Sequence, residues 1–154
     1  MERGEEGPLH NRFRGKTVSL RGTRSGPRLE FLTTAAFFGT SDSLVSTKAY
    51  FGTLASFSFL SVSIFDKLRT GDPNGETWQY TAEYFHFECA MGENIHQAQI
   101  IKARIRLDTF VAWVPFSITH LNSCNCILGY DFCVAHLVCI PDFANRQLQL
   151  RDQH

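Results

Sequence analysis

The chain lacks an excess of charge of either sign. Lys plus Arg and Asp plus Glu number 15 each in 154 residues. A neutral chain has no global field to draw in nucleic acid or anionic lipid, so neither is an expected partner. It also lacks an apolar run of bilayer length. The best candidate, residues 49–64, is too short and carries Thr53, Ser56, Ser58, Ser61 and Ser63. A buried strand or hairpin is the expectation there, and no membrane contact. No apolar segment follows Met1, so a signal peptide is not expected. Cysteines are few and odd in number, at Cys89, Cys124, Cys126, Cys133 and Cys139. Reduced thiols in an intracellular, cytoplasmic protein follow as the expectation. Gly-x-Ser-x-Gly, P-loop and dinucleotide glycine patterns are missing, which removes a serine-hydrolase elbow and two phosphate cradles. There is no internal repeat and no long amphipathic helix.

What is present is a globular composition, 44% hydrophobic and 19% charged, with 14 Phe against 2 Met. Aromatics suit pleated surfaces, so a strand-rich core is expected. The first 28 residues hold Arg3, Arg12, Arg14, Lys16, Arg21, Arg24 and Arg28. Residues 1–16 read as a flexible polar arm and 17–151 as a single β domain.

The chain divides into short apolar segments and turns. Lys16 to Leu20 and Leu29 to Phe38 read as strands around a Gly26-Pro27 turn. Phe57-Ser58-Phe59 and Val62-Ser63-Ile64 alternate as strands do. Gly71-Asp72-Pro73-Asn74-Gly75 and Gly92-Glu93-Asn94 are turns, and Trp78 to Cys89 lies between them as a strand. Ile101, Ala103, Ile105 and Leu107 alternate with Lys102, Arg104 and Arg106. Asp108-Thr109 then turns into a strand from Phe110 to Ile118, where Pro115 implies an edge or bulge. Residues 131–137 form the single short helix expected. The whole reads as all-β.

His120, Cys124, Cys126, Cys133, His136 and Cys139 crowd into twenty residues and are ligand types that zinc prefers. Their spacing is poor for a knuckle, and alternation places Cys124 and Cys126 on one strand face as small hydrophobes. No metal and no cofactor are expected.

Two segments carry a family resemblance. Ile127-Leu128-Gly129, followed by Tyr130-Asp131-Phe132, an amphipathic stretch and an Asn145-Arg146 turn into Leu148 and Leu150, resembles the C-terminal half of retropepsins. These are the aspartic peptidases of retroviruses and LTR retrotransposons. Their catalytic loop is an apolar strand ending in Asp-Thr/Ser-Gly, then small residues, then an apolar pair. Phe37-Phe38-Gly39-Thr40-Ser41 followed by Leu44-Val45 is similar to that loop. In it Gly39 stands at the catalytic Asp position, Thr40 at the middle residue and Ser41 at the loop glycine. Met91, Gly92 and Glu93 resemble the tip of the substrate-covering flap. The resemblance covers about residues 17–150.

It implies a closed-barrel acid-protease fold and a homodimer that holds an extended peptide or polyprotein segment in a shared cleft. In that family two aspartates, one per subunit, share a proton and activate water. Glycine has nothing to titrate, so the resemblance implies a pseudo-peptidase without a general base. Positions 39–41 are then expected beneath the strand of residues 127–129. The alternative is a non-enzymatic β-sheet interaction or assembly module without peptidase ancestry.

Overall fold

The structure is a computed structural model that describes residues 15–24, 30–40, 42–52, 55–88, 94–138 and 145–151. In chain order it contains β1 (Gly15–Ser19), β2 (Arg21–Arg24), β3 (Glu30–Thr40), β4 (Ser43–Phe51), β5 (Phe59–Ser61) and α1 (Val62–Gly71). There follow β6 (Trp78–Glu88), β7 (Asn94–Leu107), β8 (Phe110–Thr119), β9 (Cys126–Leu128), α2 (Tyr130–His136) and β10 (Gln147–Arg151). Eight strands are ordered β2-β3-β4-β9-β5-β8-β7-β6, and β3 also pairs with β7. That pairing, Phe37 with Arg106 and Phe38 with Ile105, closes β3, β4, β9, β5, β8 and β7 into a ring. The expected closed, mainly β barrel is therefore present. A separate two-stranded sheet joins β1 to β10.

Period-two patterning fills the barrel. On β7, Ile101, Ala103, Ile105 and Leu107 are buried while Lys102, Arg104 and Arg106 face out. On β8, Phe110, Ala112, Val114 and Phe116 point inward. Phe38 of β3 meets Phe116 edge to face, with centroids 5.8 Å apart and both rings fully buried. Burying each such side chain is worth roughly 1.5–3 kcal/mol. The turn between β7 and β8 is Asp108-Thr109, with Asp108 at φ 52°. Pro115 sits opposite Lys102, and β5 joins β8 only from Ser117 onward. The proline thus occupies a stretch of β8 with one side unpaired among the described strands, where its missing N–H costs no ladder bond.

The expectation of one helix is corrected. Val62-Ser63-Ile64 is the first turn of helix α1, not a strand. Ser61 caps it, its side chain accepting from the Ile64 N–H at 3.2 Å. Ile64, Phe65 and Leu68 then form one buried stripe. Phe65 docks the helix on β6 through edge-to-face contacts with Trp78 at 5.2 Å and Tyr80 at 6.0 Å. The chain leaves α1 through the expected Asp72-to-Gly75 turn. There an Asp72 carboxylate oxygen accepts from the Thr77 N–H at 2.7 Å and the Thr77 hydroxyl at 2.6 Å. Helix α2 falls where it was expected. Among the described residues no helix is long and apolar enough to cross a membrane.

Candidate functional site

The site is built around β9. This three-residue strand runs parallel to β4, with Ala49 opposite Cys126 and Phe51 opposite Leu128. On its other side it pairs antiparallel with β5, Phe59 opposite Ile127. Strands β4 and β5 are consecutive in the chain, so the link between them must loop past the end of β9. Hydrogen bonds fix that link. The Gly52 N–H donates to the Leu128 carbonyl at 3.0 Å, and the Ala55 N–H donates to the Gly52 carbonyl at 3.3 Å.

Residues 55–58 then bind the start of α2. The Tyr130 N–H donates to the Ala55 carbonyl at 2.7 Å and the Asp131 N–H to the Ser56 carbonyl at 3.2 Å. Ser58, 1% exposed, accepts from the Gly129 N–H at 3.0 Å and donates to Asp131 Oδ1 at 2.7 Å. The same Asp131 oxygen accepts from the Phe132 N–H at 2.7 Å. Gly129 is required by this closeness. A Cβ there would lie 2.3 Å from the Phe57 carbonyl oxygen and 2.8 Å from that of Ala55. Ile127, Leu128 and Gly129 are therefore what the junction is packed on, with Leu128 and Gly129 buried.

Gly39 and Thr40 are not beneath that strand. They lie at the end of a hairpin, Gly39 opposite Leu44 and Thr40 opposite Ser43, on the far stretch of β3. Gly39 has φ 106°, and a Cβ there would stand 2.2 Å from the Ser43 carbonyl oxygen. The glycine serves the hairpin's backbone, and β9 pairs with residues 49–51 of β4 instead, so the expectation that residues 39 and 40 sit under residues 127–129 is corrected. Ser41, Met91, Gly92 and Glu93 lie outside the described residues. The last three fall between β6 and β7, whose pairing reaches Glu88 opposite Asn94. The sequence reading missed Gly52, Ala55, Ser58 and Asp131. The signal for them was a second apolar-to-Gly-Thr transition at Tyr50-Phe51-Gly52-Thr53.

The chemistry available at the junction is limited. Asp131 is its carboxylate among the described residues, and one of its oxygens is engaged by two donors. Burial, with Asp131 nearby, pushes the Cys133 thiol up to about 11, and its Sγ donates to the Gly129 carbonyl at 3.4 Å. Complete burial raises Cys126 still further. Neither sulfur is a thiolate nucleophile at neutral pH. Cys124, Cys126 and Cys133 are free thiols. Among the described residues no group of three His, Cys, Asp or Glu is placed to hold a metal ion.

No protein-family model and no curated protein matches the chain. Among solved structures, it is similar to the retroviral protease-like domain of Ddi1 from Leishmania major. The likeness covers 81% of this chain and 96% of that one, at 12% identity and a TM-score of 0.48. It is also similar to Lpg0085 from Legionella pneumophila, a protein of unknown function (DUF785). There it covers 67% of this chain and 84% of the other, at 12% identity and a TM-score of 0.41.

Proposed function

We propose that the chain is a retropepsin-like domain that binds extended peptide in a dimeric cleft without hydrolysing it. In this reading the loop that carries the family's aspartate is Gly52-Thr53-Leu54. The observation that supports it most is the bond from the Gly52 N–H to the Leu128 carbonyl, beside the Ile127-Leu128-Gly129 strand. The sequence order agrees with the pattern described above. Ala49-Tyr50-Phe51 is the apolar lead-in, Gly52 takes the aspartate position, Thr53 the middle position and Leu54 the glycine position. Ala55 and Ser56 are the small residues, and Phe59-Leu60 is the apolar pair.

The chemical consequence is the one drawn for Gly39, moved thirteen positions along the chain. With glycine at 52 in both subunits, no paired carboxylates share a proton and no general base activates water. What such a domain retains is its scaffold, its self-association and strand addition of an extended peptide. Its free thiols suit a reducing compartment.

The test is Gly52→Asp, alone and with Leu54→Gly. Gly52 is buried, so thermal unfolding of both variants accompanies the assay. The expected result is acid-favoured, pepstatin-sensitive cleavage of a peptide library by the double variant and none by the unmodified chain. A folded, dimeric double variant with no cleavage overturns the loop assignment. Cleavage by the unmodified chain overturns the pseudo-peptidase reading.

A further inference from the structure

Zero net charge hides an uneven distribution. Strand β7 presents Lys102, Arg104 and Arg106 on one exposed face, spaced about 6.7 Å apart along the strand. Of the strands that pair with β7, β6 sets Gln79 opposite Lys102 and contains Glu83 and Glu88 farther along, and Glu76 precedes Thr77, whose carbonyl accepts from the Arg104 N–H. Strand β8 contains neither Asp nor Glu, and no acidic residue of β3 pairs with β7. Asp108 at the hairpin turn is the acid bordering the stripe in sequence. Among the described residues none of the three cations forms an ion pair, whereas Arg69 and Asp66 on α1 do. Three cations in a row, none of them in an ion pair among the described residues, form a local positive field despite the neutral total.

Aromatic surface is interleaved with the stripe. Trp113, 40% exposed, stands directly across from Arg104. The Arg106 guanidinium lies over the Phe37 ring, 4.6 Å from its centroid. Beside them Phe37, Leu44, Arg104, Arg106 and Val111 line an open hollow of about 380 Å³. Cations at the period of an extended backbone, with flat rings and a hollow between them, are what single-stranded nucleic acid binders use. Phosphates meet the cations and bases stack on the aromatic and guanidinium planes. An acidic peptide would satisfy the cations but leave Trp113 and the Phe37–Arg106 stack without a role.

We propose that this outer face of β7 and β8 binds single-stranded nucleic acid, Lys102, Arg104 and Arg106 contacting phosphates and Trp113 stacking on a base. The site lies on the outer wall of the barrel and does not depend on the cleft reading.

The test is fluorescence anisotropy of a labelled oligodeoxythymidine of about 15 nucleotides, long enough to cover such a face. Binding is expected at about 50 mM salt and should weaken with a log–log slope near −2, since each phosphate contact to a single strand contributes about −0.7. The variant Lys102→Gln/Arg104→Gln/Arg106→Gln should lose at least about tenfold in affinity and most of that slope. Trp113→Ala should lose roughly tenfold and keep the slope, because stacking releases no counterions. These positions are exposed, so thermal unfolding should confirm that the variants fold. Absence of binding by the folded chain overturns the proposal. So does undiminished binding by the triple variant, which would move the contact to the basic residues before position 28. Labelled oligoglutamate binding as tightly as the oligonucleotide would overturn the assignment to nucleic acid.

Discussion

Two glycines show how differently one residue type is used at the scale of single residues. Gly39 is needed both for its φ and for the space it leaves, and Gly129 for the space alone. Gly39→Ala should destabilise the protein by about 1–3 kcal/mol, the usual cost of holding a side chain in sparsely populated backbone space. Gly129→Ala should cost a comparable amount, because its Cβ, like one at position 39, meets backbone that cannot rotate away. Urea unfolding of the two variants checks both figures, and a neutral Gly39→Ala would remove the argument against a catalytic role for that hairpin. His136 supplies a pH-dependent prediction at the same scale. It is packed among Phe110 and Phe132, and its Nδ1 has no hydrogen-bond partner. Burial, aided by Arg151 and opposed by Asp131, lowers its pKa below the ordinary 6.5. The unfolded chain therefore takes up this proton at a higher pH than the folded one. Its contribution to stability is fully present above pH 6.5 and is lost as the pH falls through the window below it. His136→Phe should flatten that part of the stability–pH curve, as chemical denaturation between pH 5 and 7.5 (about the imidazole range) would show. A curve of unchanged slope would mean that the ring is not held neutral.

Elements were legible wherever a single periodicity ran long enough. Strand β7 is the clearest case, since four apolar and three basic residues alternate without a break and the structure repeats that order in burial. Helix α2 was legible from its amphipathic stretch after Gly129. Helix α1 was not, because Val62-Ser63-Ile64 alternates locally like a strand and the helical stripe appears only once Phe65 and Leu68 are included. The decisive residue is Ser61, which ends β5 and caps α1 at once. Its hydroxyl accepts from the Ile64 N–H and donates to Asn125 Oδ1 at 3.1 Å, joining the helix start to the approach of β9. Ser61→Ala should cost about 1–2 kcal/mol, the upper part of the range for a lost cap, because a second bond goes with it. Ser61→Thr should recover part of that loss. Denaturant midpoints for the pair measure the difference, and a Ser61→Ala variant as stable as the parent would show that packing of Phe65 and Leu68 alone sets the helix. The candidate site was half legible for a related reason. Phe37-Phe38-Gly39-Thr40 and Tyr50-Phe51-Gly52-Thr53 have the same local order, and local order cannot say which of two consecutive strands lies beside β9. That choice is made by a parallel pairing across more than seventy residues, to which no short window is sensitive.

At the scale of the whole molecule, the barrel closes through a narrow seam. Among the described residues, the pairs Phe37 with Arg106 and Phe38 with Ile105 join β3 to β7. The seam is held from inside by Phe38, which is fully buried against Phe116. The cleft reading needs this closed body twice over, because the proposed cleft is shared by two chains. Sedimentation equilibrium should therefore give twice the 17.5 kDa chain mass at micromolar concentration, with a monomer appearing on dilution. Phe38→Ala separates closure from association. Truncating a buried phenylalanine costs about 3–5 kcal/mol, a large part of the 5–15 kcal/mol that holds a typical domain together. Loss of the folded barrel should then remove the dimer at the same denaturant concentration, one transition seen by circular dichroism and by mass. A parent chain that stays at 17.5 kDa at every concentration would leave the barrel intact but remove the shared cleft, and with it the place where an extended peptide would lie.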